Sequence, residues 1–192
     1  MSAARSYVTV VSGMPRSGTS LMMRMLQTGG IPALQDGRRP ADRHNPHGYF
    51  EDDRARRLAH DSSWIEEARG KAVKIIYRLL LHLPPHLDYR VLFMERDLEE
   101  VFESQQDMLV STQNPAAAQD RAAIIGASAA DLDSAKHWLR CQANFCHIAV
   151  PYAGLMANPL LWADRVSQFL DGRLNLPAMA AVVDPALYRH RR

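Results

Sequence analysis

Two short stretches carry residues whose types and spacing suit them to hold anions. The first, GMPRSGTS, runs from Gly13 to Ser20. It has the Gly-x-x-x-x-Gly spacing of a phosphate-binding loop and continues into Thr19-Ser20. Such a loop works through its backbone. Successive N–H groups point into a concavity at the start of a helix, whose dipole favours negative charge. Gly18 lets the backbone come close to the anion, and Ser17, Thr19 and Ser20 add hydroxyl donors. Where a nucleoside triphosphatase carries a lysine, this chain has Thr19, and the nearby cation is Arg16, inside the loop. No apolar strand ending in aspartate follows to hold magnesium; RVLFMERD comes nearest but ends in Glu95-Arg96. The pattern suits a group with a single 5′-phosphate, neutralised by Arg16 with no metal. The alternative is a polar turn that only caps a helix.

The second stretch is RVLFMERDLEEVFESQ, where a strand ends in Arg96 and a helix opens. Ser104 follows about two helical turns later, on roughly the same side as Arg96. A guanidinium and a hydroxyl so placed can clasp a second phosphate. Alternatively, Arg96 and Asp97 form a plain ion pair at a helix start. Candidate proton acceptors are Glu51, His44 and His47, in or beside a polar stretch at residues 35–49. A carboxylate at position 51 also suits a helix start as such, and Asp52 and Asp53 read as solvated partners of Arg56 and Arg57. Tyr49, Phe50, Trp64 and Trp138 are candidates for an apolar acceptor pocket or for plain core.

These groups need a scaffold of alternating elements. YVTVVS (Tyr7–Ser12) reads as a buried parallel strand, and GTSLMMRMLQTGG as a helix stopped by Gly29-Gly30. FEDDRARRLAHDSSWIEEA reads as helical, Ala72–Ile76 and Tyr89–Glu95 as strands, and YRLLLHLPP as a short helix. The helix DLEEVFESQQDML is expected to have Asp97 as its N-cap. The alanine-rich residues 115–146 suggest two helices separated near GASAADLD. His147–Tyr152 follows as a strand, and NPLLWADRVSQFLDG as a helix. The expected fold class is α/β, a three-layer sandwich around a central parallel sheet of about four to five strands.

At 192 residues, with no linker, repeat or low-complexity tract, the chain reads as a single domain over residues 1–192. A formal net charge of +2 does not suggest a general nucleic-acid binder. Arginines bunch locally, as at Arg189, Arg191 and Arg192, which read as a frayed basic terminus or as phosphate contacts. Cys141 and Cys146 do not share a helical face and have no second pair to complete a zinc site. They read as reduced thiols, and with no signal peptide and no apolar run long enough to span a bilayer the expected location is cytoplasmic.

Together the two anion motifs resemble those of the sulfotransferases that use 3′-phosphoadenosine 5′-phosphosulfate (PAPS). PRSGTS is similar to their loop for the 5′-phosphosulfate, and RVLFMERDLEEVFESQ to their 3′-phosphate segment, with Arg96 and Ser104 matching in type and spacing. NPHGYFE (Asn45–Glu51) and PYAGLMANP (Pro151–Pro159) resemble further segments of bacterial members. The resemblance implies a P-loop-NTPase-like sulfotransferase fold and PAPS as donor, leaving adenosine 3′,5′-bisphosphate as product, with no metal. The acceptor it implies is a hydroxyl of a small molecule or carbohydrate. It also implies that Arg16 stabilises the leaving phosphate and that Arg16, Ser17, Gly18, Thr19, Ser20, Arg96, Ser104 and Tyr152 bind the donor. Glu51 is favoured over His47 as base because the resemblance places an acid there, and burial beside Tyr49 and Phe50 is expected to raise its pKa. The chain departs from the family in carrying Arg96-Asp97-Leu98 where many members have arginine-aspartate-proline, and Ala153-Gly154 after Tyr152 where relatives often have Glu-Asp. It also lacks the late arginine-lysine-glycine segment of animal cytosolic members. Two rival readings remain: a small-molecule kinase using ATP and magnesium, and a nucleotide-binding module without catalysis. The displaced cation weighs against the first. The joint presence of Arg16, Glu51, Arg96 and Ser104 weighs against the second.

Overall fold

The computed structural model describes residues 6–111 and 121–188. A parallel sheet in the order β2-β3-β1-β4-β5 forms its centre. The strands are β1 (Val8–Gly13), β2 (Ala33–Leu34), β3 (Ala72–Lys74), β4 (Tyr89–Glu95) and β5 (Phe145–Pro151). Side chains alternate across the two long central strands, as the two-residue period of a strand requires. On β1 and β4, Val11, Leu92 and Met94 enter one core, while Val8, Val10, Val91 and Phe93 enter the other. A strand buried on both faces reads as a continuous apolar run, which is why VTVV and VLFM were legible.

The first core is closed by α1 (Thr19–Gly29), α4 (Tyr152–Ala157), α5 (Pro159–Phe169) and α6 (Leu176–Ala181). The second is closed by α3 (Arg121–Cys141) and by 3-10 turns at Ser63–Ala68 and Tyr77–His82. This gives three layers. Helix α1 stops at Gly30, whose left-handed backbone (φ 106°) returns its N–H to the carbonyls of Gln27 and Leu26. Helix α2 (Leu98–Ser111) starts as expected: the Asp97 carboxylate accepts from the N–H groups of Glu99 and Glu100 at 2.9 and 3.1 Å.

Two expected elements differ. The stretch after Phe50 is not one helix but two 3-10 turns, Asp53–Arg57 and Ser63–Ala68. The Asp52 and Asp61 carboxylates accept from nearby backbone N–H groups at 3.0 Å, offering the chain an alternative to a continuing helix. The described part of residues 115–146 holds one helix, α3, in place of two. Gly126 lies inside it because a single glycine costs about 1 kcal/mol, less than an alanine-rich helix regains. No helix among the described residues is long and apolar enough to cross a membrane.

Candidate active site

The chain leaves β1 toward β2 on one side of the sheet and leaves β4 toward β5 on the other. Such a reversal opens a crevice at the carboxyl ends of the strands, where ligands of open α/β sheets bind. Here a cleft of about 560 Å³ is lined by the loop after β1, by Lys74, Arg96, Ser104 and Tyr152, and by the rim from Arg39 to Glu51.

The loop is held in an unusual shape. Gly13 has φ 141° and Gly18 has φ 98°. Between them Arg16 adopts φ 76°, a left-handed conformation that costs a non-glycine residue on the order of 1–3 kcal/mol and tends to cluster at functional sites. A Cβ on Gly18 would sit 2.5 Å from Cδ2 of Tyr152, so the loop rests against that ring with no room for a side chain. Gly18→Ala is therefore expected to lower stability by about 1–3 kcal/mol, read as a lower Tm. An unchanged Tm would show that the loop and ring separate freely. Thr19 and Ser20 face the cleft. Ser17 does not: it is buried, and its hydroxyl and N–H both donate to the Met14 carbonyl, at 2.7 and 3.1 Å. Its hydroxyl, expected as an anion donor, braces the loop instead.

The two anion motifs meet. Arg16 Nε donates to Ser104 Oγ at 2.9 Å, across 88 residues of sequence, and Arg16 Nη2 donates to the His44 carbonyl at 3.3 Å. Gln105 Nε2 donates to the Pro15 carbonyl at 3.2 Å. Burial lowers the Arg16 pKa from its ordinary value, and neighbouring Arg96 and Arg39 act in the same direction. Arg96 Nη1 donates to the Arg16 carbonyl at 3.1 Å, and Arg96 Nε pairs with Glu100 at 2.9 Å. The ion pair at this helix start is thus Arg96–Glu100, while Asp97 serves as the cap. The Arg96 guanidinium lies 4.7 Å from the ring centre of Tyr152, which ties that tyrosine to the same site.

On the far side of Ser20 stands a cation absent from the sequence-based site, Lys74. It ends β3, its side chain is 9% exposed, and its ammonium lies 3.0 Å from Glu51 and 3.5 Å from Ser20 Oγ. It also donates to the Tyr49 carbonyl. The signal in the sequence was the lone charge inside the apolar run AVKII. Glu51 pairs as well with Arg39 at 3.2 Å and Arg56 at 3.6 Å. Burial pushes the Glu51 pKa up, but Lys74 and Arg39 outweigh it, and the carboxyl is held below its ordinary value. This corrects the expectation of a raised pKa, which took account of burial and not of the cations. Burial also lowers the Lys74 pKa, with Glu51 opposing.

The other candidates separate by where they pack. Tyr49 lines the cleft, with Arg39 stacked 3.4 Å from its ring centre and its hydroxyl on Asp42 at 2.7 Å. Phe50 and Trp64 are buried in the two cores, and Trp138 packs edge-on against Phe145. Asp52 is not a solvated partner of the following arginines; it is 5% exposed and pairs with Arg54 at 2.9 Å. Asp53 is partly exposed and pairs with Arg56 and Arg38. His47 is exposed on the cleft rim. Arg189, Arg191 and Arg192 lie outside the described residues. Among the described residues no group of three or more His, Cys, Asp or Glu is placed to hold a metal ion.

No protein-family model matches the chain, and no curated protein matches it. A solved structure does: the sulfotransferase domain of the olefin synthase of Synechococcus PCC 7002, with a TM-score of 0.56 and 15% sequence identity. The similarity covers 98% of this chain and 89% of that one. At this identity the likeness is one of architecture, and it shows that the five-stranded parallel sheet with its flanking helices has a sulfotransferase-like fold.

Proposed function

We propose that the protein is a sulfotransferase that takes its sulfuryl group from PAPS and passes it to a hydroxyl of a small molecule or carbohydrate. The observation that carries this reading is the bond between Arg16 and Ser104. It joins a phosphate loop without a triphosphatase lysine to a second anion site, and a donor with phosphates at both 5′ and 3′ positions needs two such sites side by side. The donor groups suit that ligand: the loop amides and Arg16 for the 5′ side, Arg96 and Ser104 for the 3′-phosphate, and Tyr152 with an aromatic face beside Gly18.

Bound there, the nucleotide supplies a sulfuryl group for in-line transfer. The protein's work is positioning and electrostatic stabilisation, as in phosphoryl transfer. Arg16 and the loop N–H groups stabilise charge on the leaving phosphate. Lys74, between Ser20 and Glu51, would supply a second cation to the transferring group. Glu51 takes the acceptor proton. Lys74 holds the Glu51 carboxylate as a weak base; engagement of Lys74 with the sulfuryl oxygens would raise that basicity. Ser17 acts through the loop it braces.

The test is thermal unfolding with adenosine 3′,5′-bisphosphate, and separately with ATP plus magnesium, each with and without chelator. At 100 times its Kd a ligand adds about 2.7 kcal/mol of stability. Stabilisation by the bisphosphate, indifferent to chelator, is expected. Stabilisation by ATP alone, and only with magnesium, would turn the cleft into a kinase site and remove the roles given to Arg96 and Ser104.

A further inference from the structure

Arg96 is buried with its counter-ion. The Arg96 and Glu100 side chains are 8% and 4% exposed, and Nε meets Oε2 at 2.9 Å. The other Glu100 oxygen, Oε1, accepts from the hydroxyl of Tyr188 at 2.9 Å. Tyr188 arrives from 88 residues away, directly after the 3-10 turn Pro185–Leu187. Its ring packs edge-on against Tyr152, centroids 5.0 Å apart at 78°. The Arg96 guanidinium sits 4.7 Å from the Tyr152 ring centre and 5.3 Å from that of Tyr188. Burial, together with the bond to Glu100, pushes the Tyr188 pKa up to about 12, so the phenol stays protonated and stays a donor.

This arrangement fixes a plane. A guanidinium recognises phosphate through a rigid, flat fork, so its orientation decides which oxygens it reaches. Here two of its nitrogens are fixed, Nε by Glu100 and Nη1 by the Arg16 carbonyl, and two aromatic rings lie close to the group. Glu100 in turn is set by Tyr188. We propose that Tyr188 is a positioning residue for recognition of the 3′-phosphate: through Glu100 it aims Arg96, so the segment at residues 185–188 contributes to selecting nucleotides phosphorylated at both ends. The proposal rests on the donor reading above. It assigns to the late part of the chain a role that does not require the arginines at its end.

The test measures affinity of the full chain for adenosine 3′,5′-bisphosphate and for adenosine 5′-monophosphate, which lacks only the 3′-phosphate. Tyr188→Phe keeps the ring and removes the hydroxyl. Affinity for the bisphosphate is expected to fall about fivefold, the worth of one hydrogen bond, with affinity for the monophosphate unchanged. Tyr188→Ala, which also removes the ring, is expected to give a larger loss with the same selectivity. Equal losses for both ligands would mean that Tyr188 only supports the fold, and no loss for either would mean that Arg96 is aimed without it; both outcomes overturn the proposal alone. If the unsubstituted protein binds neither nucleotide, the donor reading fails and takes this proposal with it.

Discussion

Replacing Arg16 by alanine is expected to lower turnover by about 10²–10³, the usual loss when a donor aimed at developing charge is removed, or roughly 2.7–4 kcal/mol of transition-state stabilisation. Affinity for adenosine 3′,5′-bisphosphate should fall far less. The reason lies in the bonds that Arg16 already makes within the protein. Its side chain is already engaged, with Ser104 Oγ at 2.9 Å and the His44 carbonyl at 3.3 Å. Binding a nucleotide therefore trades existing hydrogen bonds for new ones, and the net gain in the ground state is small. Losing the side chain also releases Ser104 to serve the 3′-phosphate unassisted. Charge on the leaving phosphate grows only as the sulfuryl group departs, and the loop N–H groups that remain bring no full positive charge to meet it. Comparing single-turnover rates with Kd values from calorimetry separates the two effects. Equal losses in rate and affinity would reduce Arg16 to a binding residue.

The parts of this site differ in how far the sequence discloses them. The loop between β1 and α1 was readable because its signal is local: a strand, two glycines and a helix within about twenty residues suffice. That Arg96 precedes and Ser104 lies within one helix, about two turns apart, was readable because a helix fixes the spacing of its residues; that Arg16 bonds to Ser104 was not. The partners of these residues were not readable. Glu100 reads as a first-turn acid favoured by the helix dipole, and only packing shows it buried against Arg96 and bonded to Tyr188. Lys74 is one letter in an apolar run; its reach to Glu51 depends on β3 lying next to β1 in the sheet. The same limit explains the missed β2. Two residues, Ala33–Leu34, carry no period of their own and are a strand because β3 pairs with them. The turns after Phe50 failed differently. There the charge pattern suits a helix, but Asp52 and Asp61 each bond the backbone N–H two residues on, so each opens a short turn of its own in place of one continuous helix.

The last expected result concerns Glu51, where the structure changed the physical argument. Glu51→Gln should lower turnover by about 10²–10⁴, the usual contribution of a positioned proton acceptor, and leave bisphosphate affinity within about twofold. The pH dependence adds a sharper test. Burial alone would move this carboxyl above its ordinary value of 4.5; Lys74 and Arg39 reverse the sign and hold it below. A depressed folded pKa keeps the carboxylate available above that value, so the acid limb of kcat/KM should lie under pH 4.5, with no loss due to this group between about pH 5 and 7. The stability contributed by the pairing follows the same sign, full above the unfolded pKa and lost as pH falls through the folded one. Lys74→Met removes the nearest cation, 3.0 Å away, and leaves burial to act against Arg39. In that variant the acid limb should move to higher pH, measured as kcat/KM against pH with a fixed acceptor. An unmoved limb, or full activity in Glu51→Gln, would assign the proton to another group, and His47 on the rim of the same cleft would be the residue to substitute next.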